Sequence, residues 1–94
     1  MDTLEQAAAT LKVLAHPHRL KLVELLMGRK HNVGELADAL DLAPNAVSQH
    51  LSQMKAHRIL SVQRVGRIAY YQIINPHAAN VIRCIRKHGH GQDA

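Results

Sequence analysis

The 94-residue chain has neither tryptophan nor phenylalanine, and Tyr70 and Tyr71 are its only large aromatic residues. Without bulky rings, packing falls to thirteen alanines and twelve leucines, which suits helices lying close together. So small a core is marginal alone, and burial against a second copy is the expected remedy. The single cysteine, Cys84, excludes an internal disulfide framework and agrees with a reducing compartment. No stretch approaches the roughly 18 apolar residues of a membrane span. The opening MDTLEQ carries acid where a signal peptide needs base. These absences lead us to expect one soluble, cytoplasmic domain over residues 1–94, with no membrane partner. Acid is the most unevenly missing class. Residues 1–41 hold six Asp/Glu against five Lys/Arg, whereas residues 42–92 hold seven Lys/Arg and no acid. With a net charge of +5, a basic half joined to a balanced half points to a polyanionic partner.

Apolar residues at Leu4, Ala7, Ala8, Leu11 and Leu14 repeat at helical spacing and predict a first helix over 3–15. Pro17 suits the first turn of a second helix, nearly apolar all round and therefore central, which Gly28 ends. Asn32 stands three residues before Glu35, a capping-box spacing, and opens a third helix running to about Leu40. Asp41–Pro44 reads as a tight turn, and Pro44 begins a fourth helix over about 44–57. The period then changes. LSVQRVGRIAYYQII is rich in β-branched residues and split by Gly66, the signature of a β-hairpin. Asn75 and Pro76 are a suitable N-cap and first residue for a fifth helix over 76–88, with Ala78, Val81, Ile82 and Ile85 on its apolar face. The tail GHGQDA is expected to lack structure.

Within the fourth helix, NAVSQHLSQM places Val47, Leu51 and Met54 on one face. The other face carries Asn45, Ser48, Gln49 and Gln53, without a carboxylate. A solvent-facing helix usually mixes Glu with Lys there. A helix that faces base edges instead needs hydrogen-bond donors and acceptors, and a carboxylate would be repelled by phosphate. A helix, a tight turn, a polar second helix and a basic hairpin make a winged helix-turn-helix, mainly α with a β-hairpin wing and about five helices. Double-stranded DNA is then the expected partner. Arg64 and Arg67 flank Gly66 at the hairpin tip, within reach of phosphates or the minor groove. Lys55 and Arg58, late on the fourth helix, suit phosphates, or else complement the negative end of the helix dipole.

The segments LAHPHRLKLVELL, VGELADALDLAPNAVSQHLSQMKAHRIL and RVGRIAYYQI, in that order, resemble the ArsR/SmtB family of winged-helix transcriptional repressors over roughly residues 5–88. The resemblance implies a homodimer built on the first and fifth helices, an operator, and release by a metal ion or thiol chemistry. It also implies where the chain departs from the family. A thiolate site on the third helix needs Cys-x-Cys, and Ala37 and Ala39 stand there. The cysteine of thiol-switch members falls on Glu24. The zinc-type site on the fifth helix corresponds to Asn75, His77 and His88, with Gly91 at the last position and His90 beside it. Eleven residues make about 16 Å of helix, so His77 and His88 cannot share an ion within one helix. An antiparallel partner helix would bring His77 beside His88 of the second copy. Cys84 and His88, at i and i+4, are a further donor pair for Zn(II) or another transition metal.

A cysteine on an interfacial helix is more often a small hydrophobe, and the chain has eight histidines. His16, His18, His31, His50 and His57 are read as structural or phosphate-facing. A small organic effector or a redox response at Cys84 stays open beside the metal. Catalysis is not expected, because the sole nucleophile–base pair, Cys84 and His88, sits on a helix face rather than in a cleft. The alternative class, a His-rich helical metal-binding protein without operator specificity, leaves the amide-rich face and acid-free hairpin unexplained.

Overall fold

The computed structural model describes residues 3–93, with side chains described as far as Lys87. Its elements follow as α1 (Thr3–Leu14), α2 (Pro17–Gly28), β1 (His31–Asn32), α3 (Val33–Leu40), α4 (Pro44–Ala56), β2 (Leu60–Val65), β3 (Ile68–Ile73) and α5 (Pro76–Asp93). Proline marks the first residue of α2, α4 and α5, where its missing N–H costs no helical bond. α2 is the hub. Its Leu22, Val23 and Leu26 are buried, and it packs against α1, α3, α5 and β3.

Several helix ends have a local cause. His16 caps α2, its Nδ1 accepting the His18 backbone N–H at 3.1 Å. Gly28 is the last residue of α2 and is not in the left-handed region. The chain leaves the helix through an extended Arg29 instead. The capping box of α3 forms as expected. Asn32 Oδ1 accepts from the Glu35 N–H at 2.8 Å, and Glu35 Oε1 accepts from the Asn32 N–H at 3.0 Å. Asp41 adopts φ 55°, and the Leu42 N–H reaches back to the Ala37 carbonyl at 3.1 Å, closing α3 and turning the chain into α4.

α4 stops at Ala56, and Arg58 takes a left-handed φ of 59°. The Ile59 N–H donates to the Met54 carbonyl at 2.9 Å, and Ile59 is fully buried. This is the closing motif usually built on glycine, here with an arginine in the strained place. Arg58 is therefore beyond the helix rather than late on it.

β2 and β3 pair antiparallel from Leu60↔Ile73 to Val65↔Ile68. Gly66 and Arg67 make the two-residue connection, and Gly66 supplies the positive φ of 64° at its first position. A third strand joins this hairpin. β1 pairs with β3 through His31↔Tyr71 and Asn32↔Tyr70, giving the sheet order β1-β3-β2. α5 continues to Asp93, so most of the tail expected to lack structure is helical. A glycine in a helix costs about 1 kcal/mol against alanine, which need not end a helix already formed. Among the described residues no helix is long and apolar enough to cross a membrane.

Candidate nucleic-acid interface

α4 is anchored by three side chains with no exposed surface, Val47, Leu51 and Met54. Their burial turns Asn45, Ser48, Gln49 and Gln53 outward, and all four are exposed. Ser48, Gln49 and Gln53 line one concavity with Ser52, His50 and Arg19. Lys55 is exposed in the last turn. On the hairpin, Arg64 lies opposite Ala69 and Arg67 occupies the turn, both exposed. Arg58 is not brought to this surface. It lines a separate cleft with Gln6, Thr10, Asn75 and His77, because its left-handed backbone turns it toward α1 and the start of α5.

The charge asymmetry survives folding. The ion pairs among the described residues are Lys21–Glu24, Arg29–Glu35 and Arg86–Glu24, and none includes a cation of α4 or the hairpin. Glu24 joins α2 to α5, and the hydrogen bond from Lys21 holds its carboxyl below the usual range, helped by Arg86. Lys30 extends the basic surface beyond what the sequence pattern suggested. Its Nζ donates to Gln63 Oε1 at 3.0 Å and lies 5.4 Å from the Tyr70 ring centre.

Three of the histidines read from the sequence as structural or phosphate-facing meet in the fold. The His16, His18 and His50 rings have centres 4.6 to 5.7 Å apart at the junction of α2 and α4. Arg19 Nε donates to His50 Nδ1 at 3.1 Å, and its Nη1 donates to the Val13 carbonyl at 3.1 Å. Burial pushes the His50 pKa down, and His16, Arg19 and His18 push the same way. The His16-x-His18 spacing was the available signal, but His50 is far along the chain and nothing local links it to them.

The expected α5 donors are only partly brought together. The Asn75 side chain makes two hydrogen bonds, which leave its Oδ1 a second lone pair. Its Oδ1 accepts the His77 N–H at 2.8 Å, and its Nδ2 donates to Thr10 Oγ1 at 3.2 Å. His77 and Cys84 line one apolar groove with Ala7, Leu11, Val81 and Ile85. His88 and His90 lie outside the residues whose side chains are described. In that groove Leu11 and Ile85 are each 50% exposed, a large apolar area for two helices that also feed the core.

Comparison with known proteins gives the same architecture a lineage. The repressor PagR of Bacillus anthracis is 39% identical over 88% of this chain and 84% of its own length. Its crystal structure superposes with a TM-score of 0.78 over 88% of this chain and 95% of that one. A transcriptional repressor, the SmtB homolog of a Synechocystis strain, is 33% identical over 94% of this chain and 67% of its own length. A homodimeric winged helix-turn-helix DNA-binding domain from Mycobacterium bovis is 25% identical. It superposes with a TM-score of 0.81 over 95% of this chain and 82% of that one. The family of bacterial regulatory proteins named for arsR matches residues 16–62, the stretch from the cap of α2 into β2. The chain therefore belongs to the ArsR family, as a winged helix-turn-helix, DNA-binding transcriptional repressor and not an enzyme.

Proposed function

We propose that two copies of the chain pair through α1 and α5 and seat their α4 helices in successive major grooves of a near-palindromic operator. The half-sites would then lie about one helical turn apart. The observation that carries this reading is the contrast on α4. Three side chains without exposure fix the helix, and four uncharged polar ones face outward. Ser48 and Gln49 read base edges, with Asn45 and Gln53 beside them. Lys55, Arg64 and Arg67 hold phosphates or the minor groove, and Arg58 adds only to the general field. The half-exposed Leu11 and Ile85 support the pairing, as does the homodimeric relative from M. bovis.

Release by a signal on α5 completes the proposal. The donors that fit are His77 and Cys84, which share the groove, and an ion such as Zn(II) would draw on His77 of one copy and His88 of the other. Asn75 and His90 are further donors, and a thiol reaction at the exposed Cys84 is the second form of signal. Such an ion supplies a link between the two copies, and it shifts operator affinity only by its unequal affinity for the two conformations.

Operator titration with two variants tests the DNA reading. Gln49→Ala should cost about 1–3 kcal/mol on the specific site and relax preference at one base pair. Arg67→Ala should weaken specific and random DNA alike and flatten the salt slope by about one unit if it holds a phosphate. The reverse pattern between the two variants overturns the assignment.

A further inference from the structure

We propose that His16, His18 and His50 form a binding site for one borderline divalent metal ion of the zinc class, joining the start of α2 to the middle of α4. One potential ligand nitrogen from each ring lies within 4.8 Å of the other two, and all three residues are half-buried. The set contains only imidazoles. Imidazole suits zinc, nickel or copper, whereas magnesium and calcium demand oxygen. Three histidines and a water are a common zinc shell, with nitrogens about 2.0–2.1 Å from the ion. Ligands at that radius stand about 3.4 Å from one another in a tetrahedron. Ring rotations closing the gap by on the order of 1 Å therefore complete the site.

Ordinary structural roles do not explain the three residues together. His16 occupies a cap position that Ser, Thr, Asp or Asn usually fills. The His18 ring makes contacts with both other rings, and no hydrogen bond from that ring is found among the described residues.

The hydrogen bonds around the cluster show what loading must displace. His16 Nδ1 accepts from the His18 N–H, and His50 Nδ1 accepts from Arg19 Nε. A neutral ring has one lone-pair nitrogen, so in both residues that pair is already engaged and the ring proton sits on Nε2. An ion binding at Nδ1 displaces the donor directly. An ion binding at Nε2 moves the ring proton to Nδ1, where it confronts the same donor. By either route the ion and the Arg19–His50 bond exclude one another. The metal thus replaces Arg19 as the tie between α2 and α4, one residue from Gln49.

This site shares no residue with the α5 donors, so the two are tested apart. In the full chain carrying His77→Gln and His88→Gln, Zn(II) is titrated against a chromophoric chelator, and Co(II) serves as the spectroscopic probe. The expected result is one ion per chain, visible d–d bands and no sulfur-to-cobalt charge transfer. Adding His18→Ala should weaken binding at least tenfold, and Arg19→Gln should strengthen it severalfold by removing the competing donor and its charge. Failure to compete with the chelator, indifference to His18, or a sulfur charge-transfer band overturns the proposal. Metal-free melting curves check that each variant folds. If His18→Ala does not, ring-nitrogen NMR of the His77→Gln/His88→Gln protein decides. Joint shifts of the His16, His18 and His50 signals on adding Zn(II) support the site, and unmoved signals overturn it.

Discussion

Replacing Asn75 by alanine removes two hydrogen bonds that hold different parts of the molecule. The first is the 2.8 Å cap on α5, and losing a cap of this kind costs about 1 kcal/mol. The second is the 3.2 Å bond to Thr10, whose residue is only 5% exposed. Its loss leaves a buried hydroxyl short of a donor, at a cost of about 1 kcal/mol more. Thr10 can turn its hydroxyl toward a carbonyl of its own helix, which keeps the second figure near the low end of its range. The total of about 2 kcal/mol is a large share of the 5–15 kcal/mol that usually holds a domain together. Asn75→Asp should cost well under 1 kcal/mol, since a carboxylate still caps α5 and accepts a bond from Thr10. Urea denaturation at one fixed protein concentration measures both, because pairing of copies makes stability depend on concentration. An alanine variant within about 0.5 kcal/mol of wild type would refute the reasoning, as would an aspartate variant equally damaged.

Two further outcomes test other parts of the structure. The Asn32 backbone N–H, and then Arg29, hold the Glu35 carboxyl below its ordinary value, so its contribution is full above that ordinary value and is lost as pH falls through the lowered one. Glu35→Gln keeps an acceptor for the capping box without the titration, so the stability gap between wild type and variant should stay constant near neutral pH and change progressively as pH falls through the ordinary glutamate range and below it. Ile85→Glu should shift the chain toward monomer in sedimentation and weaken operator binding with it, whereas a folded variant that pairs normally would remove α5 from the interface.

Much of this fold can be read from punctuation. Pro17, Pro44 and Pro76 mark three helix starts to the residue, Asn32 and Glu35 mark a fourth, and Gly66 marks the hairpin turn. The polar face of α4 is equally legible, because its periodicity requires Val47, Leu51 and Met54 to point inward. What escapes is whatever depends on distant partners or lacks its usual residue. β1 has two residues, too few for an alternating pattern, and exists because β3 offers it an edge. Arg58 takes a left-handed turn with no glycine or asparagine to announce it, and this moves its side chain away from the proposed DNA face. The histidine cluster needs His50 of α4 brought against the start of α2, a contact between residues far apart in the chain.

The short strand β1 has a mechanical consequence. Asn32 pairs with Tyr70 of the hairpin and caps α3 in the same stroke. A hairpin rooted only at its own two ends would swing about its base. This one is stitched on its far side to the helix that leads into α4, while β2 descends directly from α4. In the proposed DNA complex, hairpin tip and α4 then act as the jaws of a caliper set at one opening. A duplex gripped by both must match that opening or bend to it. Base steps that never touch the protein then enter recognition through their stiffness.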